Sequence, residues 1–193
     1  MKKTLTKSDF KKYYKQFMLK KIGILGQKKI FNSKVLVVGA GGLGCPLILY
    51  LAYSGVGNLG IVDHDKIELS NLSRQILFTR KDIGKFKTIV SKQAAKKINK
   101  RIIVKTFTKK LNFSNIDKIA KHYPIICDGS DNFETRLLIN DYCIKYKKIL
   151  VSSAISRFDS QLFYFDFRKK TPCFRCFMPE DPRINQNCES EGI

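Results

Sequence analysis

No apolar run in the sequence approaches the roughly 18 residues that a membrane-crossing helix needs. The lysine-rich N terminus is not followed by the apolar core of a secretory signal. These absences argue against a membrane helix and point to the cytoplasm. Internal repeats, low-complexity tracts and a convincing interdomain linker are also missing, so a chain of 193 residues has room for one well-buried domain and little for a second. Acids are scarce: 16 stand against 37 lysines and arginines, for a formal charge of +21. Such a balance invites a nucleic-acid partner. Yet the lysines run along the whole chain, and no basic stretch is interleaved with aromatics as a single-strand groove requires. The excess is better explained by an AT-rich genome, which favours Lys, Ile, Asn and Phe, or by an acidic protein partner steered in by charge. Neither nucleic acid nor membrane is expected as a partner. The hydrophobic fraction of 44% fits a folded core.

The pattern of the chain turns on residues 34 to 75. A β-branched run, Val35 to Val38, breaks into Gly39-Ala40-Gly41-Gly42-Leu43-Gly44 and passes into an apolar stretch, Leu47 to Ala52. That order predicts a buried strand, a tight turn and a helix. Gly39, Gly41 and Gly44 have the G-x-G-x-x-G spacing. The first permits the turn, the second lets a phosphate approach, and the third lets the helix pack closely on the strand. Backbone N–H groups at the helix start then suit an anion. A second strand, Leu59 to Val62, ends at Asp63, where a carboxylate can accept from ribose hydroxyls. The pattern implies an adenine nucleotide. Arg74 and Lys87 then add cations that a nicotinamide site does not need and a triphosphate does. The plainer reading makes them two surface cations among 37.

Downstream, the spacing predicts a helix from Lys85 to Asn99, a strand from Ile102 to Phe107 and a weak helix from Ser114 to Lys121. A strand from Tyr123 to Asp128 follows, with Pro124 tolerable only at its start. Asp131 and Asn132 stand at its carboxyl end, as ligand or helix cap, before a helix from Phe133 to Tyr146. Arg136, one turn into that helix, can reach phosphate or cap locally. Ile149 to Ala154 is a further strand, and Gln161 to Phe167 alternates like an edge or antiparallel strand. The expected fold is therefore α/β and Rossmann-like: a largely parallel, doubly wound sheet with helices on both faces. Residues 1 to 33 form a helical arm, and residues 34 to 193 the nucleotide-binding domain. In the arm, Phe10, Tyr13, Tyr14, Phe17, Met18 and Leu19 recur at helical spacing and predict an amphipathic helix capping the sheet.

Gly-Ala-Gly-Gly-Leu-Gly at 39–44, Asp-His-Asp at 63–65, Ser-Asn-Leu-Ser-Arg-Gln at 70–75 and Asp-Gly-Ser-Asp-Asn at 128–132 closely resemble the ThiF/MoeB/HesA family. Its members are adenylyltransferases that activate ubiquitin-like sulfur-carrier proteins. The likeness runs from about Tyr13 to Ile193. It implies ATP and Mg²⁺ as cofactors, with nucleotide contacts at Gly39, Gly41, Gly42, Gly44, Asp63, Asp65, Asn71, Arg74, Gln75, Lys87, Asp131 and Asn132. It implies that Arg74 and Lys87 offset phosphate charge while Asp131 holds Mg²⁺. It also implies a homodimer, in which an arginine of the arm reaches the other subunit's phosphates. Lys15 stands at that position, with the charge but not the planar fork. The implied partners are a small ubiquitin-like sulfur carrier of the thiamine or molybdopterin route and a cysteine desulfurase or sulfurtransferase.

Six cysteines without a secretory signal argue for thiols or metal rather than disulfides. Cys45, Cys127 and Cys143 read as packed core. Cys173 and Cys176 form C-x-x-C, half of a tetrahedral Zn²⁺ site, and the family's second pair is absent. Cys188 falls where the resemblance implies a cysteine on a loop near the carrier's C terminus, taking part in sulfur handling. The expected activity is carrier adenylation with release of pyrophosphate. The alternatives are a catalytically weak nucleotide- or carrier-binding subunit and, less favoured, an NAD-dependent dehydrogenase.

Overall fold

The computed structural model describes residues 4–178. Three short helices, α1 (Lys7–Lys12), α2 (Tyr14–Met18) and α3 (Gly23–Asn32), lead into strand β1 (Lys34–Val38). Then follow α4 (Gly44–Ser54), β2 (Asn58–Val62), α5 (Lys87–Ile98), β3 (Ile103–Phe107), α6 (Ile116–Ala120), β4 (Ile125–Asp128), α7 (Phe133–Lys145), β5 (Ile149–Ser156), β6 (Asp159–Asp166) and α8 (Phe174–Phe177). The strands form one sheet in the order β3-β2-β1-β4-β5-β6, parallel except for β6. In register, Val38 lies beside both Val62 and Asp128, so β1, β2 and β4 end together at one edge. This is the Rossmann-like α/β architecture that the pattern predicts.

Alternation along β1 divides the core. Val35 and Val37 pack with Ile48, Ala52, Leu59, Ile61 and Ala95 on the face covered by α4 and α5. Leu36 and Val38 pack with Ile119, Ile126, Ile139, Tyr142 and Leu150 on the face covered by α6 and α7. Each of these side chains is nearly inaccessible, and burying a Val, Leu or Ile among them stabilises the fold by about 1.5–3 kcal/mol. Pro124 immediately precedes β4, where its carbonyl accepts from Ile149 N at 3.0 Å. A lysine is also buried. Lys148 donates from Nζ to the carbonyls of Ala120, Lys121 and Tyr123 and so closes the end of α6.

The arm departs from expectation. The helix breaks at Tyr13 (φ −105°, ψ 17°), so no continuous amphipathic helix forms. Phe10, Tyr14, Met18 and Leu19 share the outer face and are 43–65% exposed, whereas Tyr13 enters the core. Its ring meets Phe31 edge-on at 5.3 Å. Gln27 Nε2 donates to Ser54 O at 2.8 Å, Lys12 Nζ to Ile98 O at 3.0 Å, and Arg101 pairs with Asp9. The arm is thus fastened to the C-terminal ends of α4 and α5. The hairpin β5–β6 is also longer than its pattern suggested, because Arg157 adopts φ +53° and closes a two-residue turn.

Gly55 ends α4 at φ +87°, and a Cβ there would stand 2.9 Å from the Tyr13 ring. Gly55→Ala should cost about 1–3 kcal/mol through left-handed strain and overpacking. Thermal unfolding measures this. An unchanged midpoint would show that the arm is not seated as described.

Candidate functional site

The site begins where β1 ends. Gly39 has φ +87°, and its N–H donates to Val62 O at 2.9 Å. A Cβ on Gly39 would fall 2.7 Å from Gly129 O, and one on Gly44 would fall 2.0 Å from Gly39 O. Two of the glycines are therefore required by backbone packed on backbone. The third of the fingerprint packs against the turn itself more than against the strand. Gly41 and Gly42 differ. A Cβ at either would meet only the Gln75 amide or the Arg74 stem, at 3.8 Å, an ordinary contact. No side chain caps the start of α4 and no acid lies in its first turn. Cys45 N donates to Gly41 O at 2.9 Å and Pro46 has no N–H, so the Gly44 N–H and the helix dipole face an anion there.

Asp63, just beyond β2, has both carboxylate oxygens committed. Oδ2 accepts from Ala40 N at 2.7 Å and Oδ1 from Asp65 N at 2.8 Å. Its first task is thus to clamp the glycine turn. Burial pushes its carboxyl above the ordinary range, against those hydrogen bonds and the Lys87 charge. Lys87 opens α5 and is only 7% exposed. Its Nζ meets Asp65 Oδ2 at 2.9 Å, and its N–H donates to Asp65 O at 3.0 Å. The reading of Lys87 as a surface cation is therefore wrong. Cys45 donates to Ala40 O at 3.3 Å, and burial raises its thiol to about 12, an inert core group like Cys127 and Cys143.

A 3₁₀ turn, Leu69–Ser73, presents the next group. Asn71 is its hub: Oδ1 accepts from Glu68 N, and its carbonyl takes the N–H of Arg74 and Gln75. Arg74 lies along Gly42, with Nη1 on Ser70 O. Gln75 is 3% exposed, its amide faces Gly41, and its Oε1 lacks a donor among the described residues. Across the crevice, the loop 129–132 leaves β4. Asp131 is exposed, and Asn132, not Asp131, caps α7 by accepting from Thr135 N at 2.9 Å.

Arg136 is not at the phosphate position. Its guanidinium is buried, with Nη2 on Ser130 O at 2.9 Å and Nε 3.4 Å from Asp128 Oδ2. Sequence reasoning missed this pair and the serines around it. An acid directly after an apolar strand, two residues before a serine, was the available signal.

Lys15 is not brought to the crevice. The arm holding it is fastened where α4 and α5 end, about 16 Å along the 11-residue α4 from the glycine turn. The sulfurs of Cys173 and Cys176 lie 3.6 Å apart, close to the roughly 3.8 Å that two thiolates span on a tetrahedral zinc. They fit half a site. Among the described residues no third metal-ligating group joins them, and Cys188 lies outside those residues. Among the described residues the one cluster of three such groups is Asp63, His64 and Asp65.

These features define a doubly wound α/β domain with an open helix N terminus at its topological switch point, between β1 and β4. The chain belongs to the ThiF family, whose model matches residues 13–193. The adenylyltransferase and sulfurtransferase MOCS3 of Caenorhabditis briggsae is 40% identical over 191 residues, 98% of this chain and 48% of that protein. The sulfur carrier protein adenylyltransferase of Thermus thermophilus is 38% identical over 194 residues, 97% of this chain and 72% of that protein. The chain thus spans about half the length of the MOCS3 relative. Among solved structures, PaaA superposes with a TM-score of 0.79 at 21% identity over 96% of this chain and 61% of that one, a likeness of fold. Escherichia coli MccB with ATP gives 0.70 at 25% identity, over 90% and 60%.

Asp63→Ala should free the Ala40 amide and cost about 1–3 kcal/mol, the penalty for stranding a buried donor, while the exposed Asp65 amide turns to water. Hydrogen exchange at Ala40 should quicken by about tenfold or more, since 1.4 kcal/mol is a factor of ten. Unaltered exchange there would remove Asp63 from the turn.

Proposed function

We propose that this chain is the adenylating part of an enzyme that activates the C-terminal carboxylate of a small ubiquitin-like sulfur-carrier protein. Lys87 carries the reading. A cation buried at a helix N terminus opposes the macrodipole and is costly to desolvate. Its neighbour Asp65 is half exposed, so the pair earns little by itself. A triphosphate seated on the glycine turn gives that charge its use, and a nicotinamide dinucleotide does not. The likeness to the Thermus sulfur carrier protein adenylyltransferase and to MccB with ATP supports the same substrate class.

In this reading the phosphates lie on Gly39–Gly44, with Gly41 and Gly42 left bare for them, and Gln75 Oε1 awaits a donor. Asp63 offers its remaining lone pairs to the ribose, and Asn71, Asp65 and Asn132 line the crevice. Asp131 fits a Mg²⁺ site: its carboxylate is exposed at the strand ends, Oδ1 accepts from Asn132 Nδ2 at 3.1 Å, and Oδ2 has no partner among the described residues. One such carboxylate plus phosphate oxygens is the usual Mg²⁺ shell. When bound, the ion neutralises phosphate charge. The carrier's terminal carboxylate oxygen attacks the α-phosphorus, the bond to the β-phosphate's bridging oxygen breaks, and pyrophosphate leaves. The protein supplies position and charge, with Arg74 and Lys87 meeting the charge of the leaving group.

Lys15 is too far from its own crevice, so its contact with phosphate would be made in the partner subunit of a homodimer. Cys188 is proposed for sulfur handling, and Cys173 with Cys176 for two of four zinc ligands. We place residues 34–193 in the nucleotide-binding unit and the protein in the cytoplasm. The carrier surface decides between thiamine and molybdopterin routes. The exposed Lys15, standing where an arginine is expected, favours the second reading of a catalytically weak subunit.

Carrier-dependent exchange of labelled pyrophosphate into ATP tests the proposal. Alanine at Arg74, Lys87 or Asp131 should each lower the rate by about two orders of magnitude or more, the scale for one preorganised charge contact. No exchange with either carrier type would favour the weak subunit. Full exchange in all three variants would refute the assignments. For Lys15, a mixed dimer of Lys15→Ala and Lys87→Ala chains should recover activity at one of its two sites, and no recovery would contradict action in trans.

A further inference from the structure

Asp128, the last residue of β4, is 1% exposed. Its Oδ1 accepts from Ser130 N at 2.9 Å and Ser130 Oγ at 2.6 Å, and its Oδ2 accepts from Ser152 Oγ at 2.7 Å. Arg136 approaches from α7. It donates from Nη2 to Ser130 O at 2.9 Å and Ser153 O at 3.4 Å, and its Cζ lies over the Phe133 and Phe174 rings, 5.7 and 5.6 Å from their centroids. Two elements thus converge on Ser130, β4 through Asp128 and α7 through Arg136, while β5 holds Asp128 itself through Ser152. On the other side of Asp131, Asn132 is fixed as the N-cap of α7, and its Nδ2 donates to Asp131 Oδ1. The exposed carboxylate stands between two residues held by these hydrogen bonds.

An apolar pair of similar volume would hold a core as well as a buried ion pair does. What apolar residues cannot do is fix a polar loop through its own N–H, hydroxyl and carbonyl. Among the described residues the side-chain hydrogen bonds of Asp128 and Arg136 go to Ser130 in the loop 129–132 and to Ser152 and Ser153 of the neighbouring β5. We propose that Asp128 and Arg136 are positioning residues, which set the Asp131 carboxylate for the divalent cation carried by the nucleotide. The inference rests on the metal-binding reading of Asp131. It adds that the cation's affinity depends on two groups that never touch it, as outer-shell partners commonly change metal affinity by about 10–100-fold.

The test compares ATP affinity with Mg²⁺ and with EDTA by calorimetry, in the full chain. The ratio of the two should fall about tenfold or more in Arg136→Lys, which keeps the charge but not the fork, and in Asp128→Asn. Ser152→Ala, a milder change that preserves both charges, should lower it less, and it decides the matter if the other two fail to fold. Hydrogen exchange at the Ser130 amide should quicken in each variant. In an Asp131→Ala background Arg136→Lys should add nothing further, because both act on one group. A ratio lowered by Asp131→Ala but untouched by the other variants would overturn positioning and leave the metal reading intact. A ratio untouched by Asp131→Ala would overturn both. Additive effects of Asp131→Ala and Arg136→Lys would also overturn the inference.

Discussion

Two backbone turns lie directly against each other at the centre of this protein, and the arrangement of the crevice depends on that contact. The turn after β1 meets the turn after β4 so closely that a single carbon atom on Gly39 would collide with Gly129. Because β1 and β4 are neighbours, and their following helices leave to opposite faces, a cleft opens between the two turns. A third strand end contributes the clamp: Asp63 reaches from β2 to hold Ala40. Three strand ends in register thus fix one turn and one loop with few degrees of freedom.

Charge is distributed around the cleft in a way that total composition hides. Most lysines are exposed, where ion pairs contribute little. The charges taken out of water at the strand ends are few and individually placed. Asp128 and Arg136 lie beneath one wall, and Lys87 at the other with its partner Asp65. Desolvating them opposes folding, and each returns a fixed position for a polar group. The C-x-x-C turn joins the same framework, since Phe174 N donates to Asn140 and Arg175 pairs with Asp141 on α7.

The fold was legible because most strands are short β-branched runs closed by polar residues. Val35–Val38 and Leu59–Val62 sit within one residue of the observed strands, and Pro124 marks the start of β4. The glycine turn and Asp63 could be placed by spacing alone. The arm was misjudged because helical spacing assumes a continuous helix. Tyr13 breaks it to reach Phe31, which turns the apolar stripe outward. Asp128 and Arg136 were missed for a different reason. Seven residues lie between them, and the turn of the loop 129–132 into the first turn of α7 brings them together. No local pattern records such a pairing. Lys87 needed burial to stand out from the other lysines, and burial is not written in a lysine-rich composition.

The central claim is that the fold demands two of the turn's glycines and the ligand demands the other two. Gly41→Ala separates these demands, since a Cβ there has room in the free protein. The decisive measurement is ATP binding by this variant alongside its thermal midpoint. The account predicts a midpoint near that of the parent and ATP affinity reduced by about tenfold or more, the cost of roughly 1.4 kcal/mol at a phosphate contact. Parental affinity for ATP in a stable Gly41→Ala protein would contradict it.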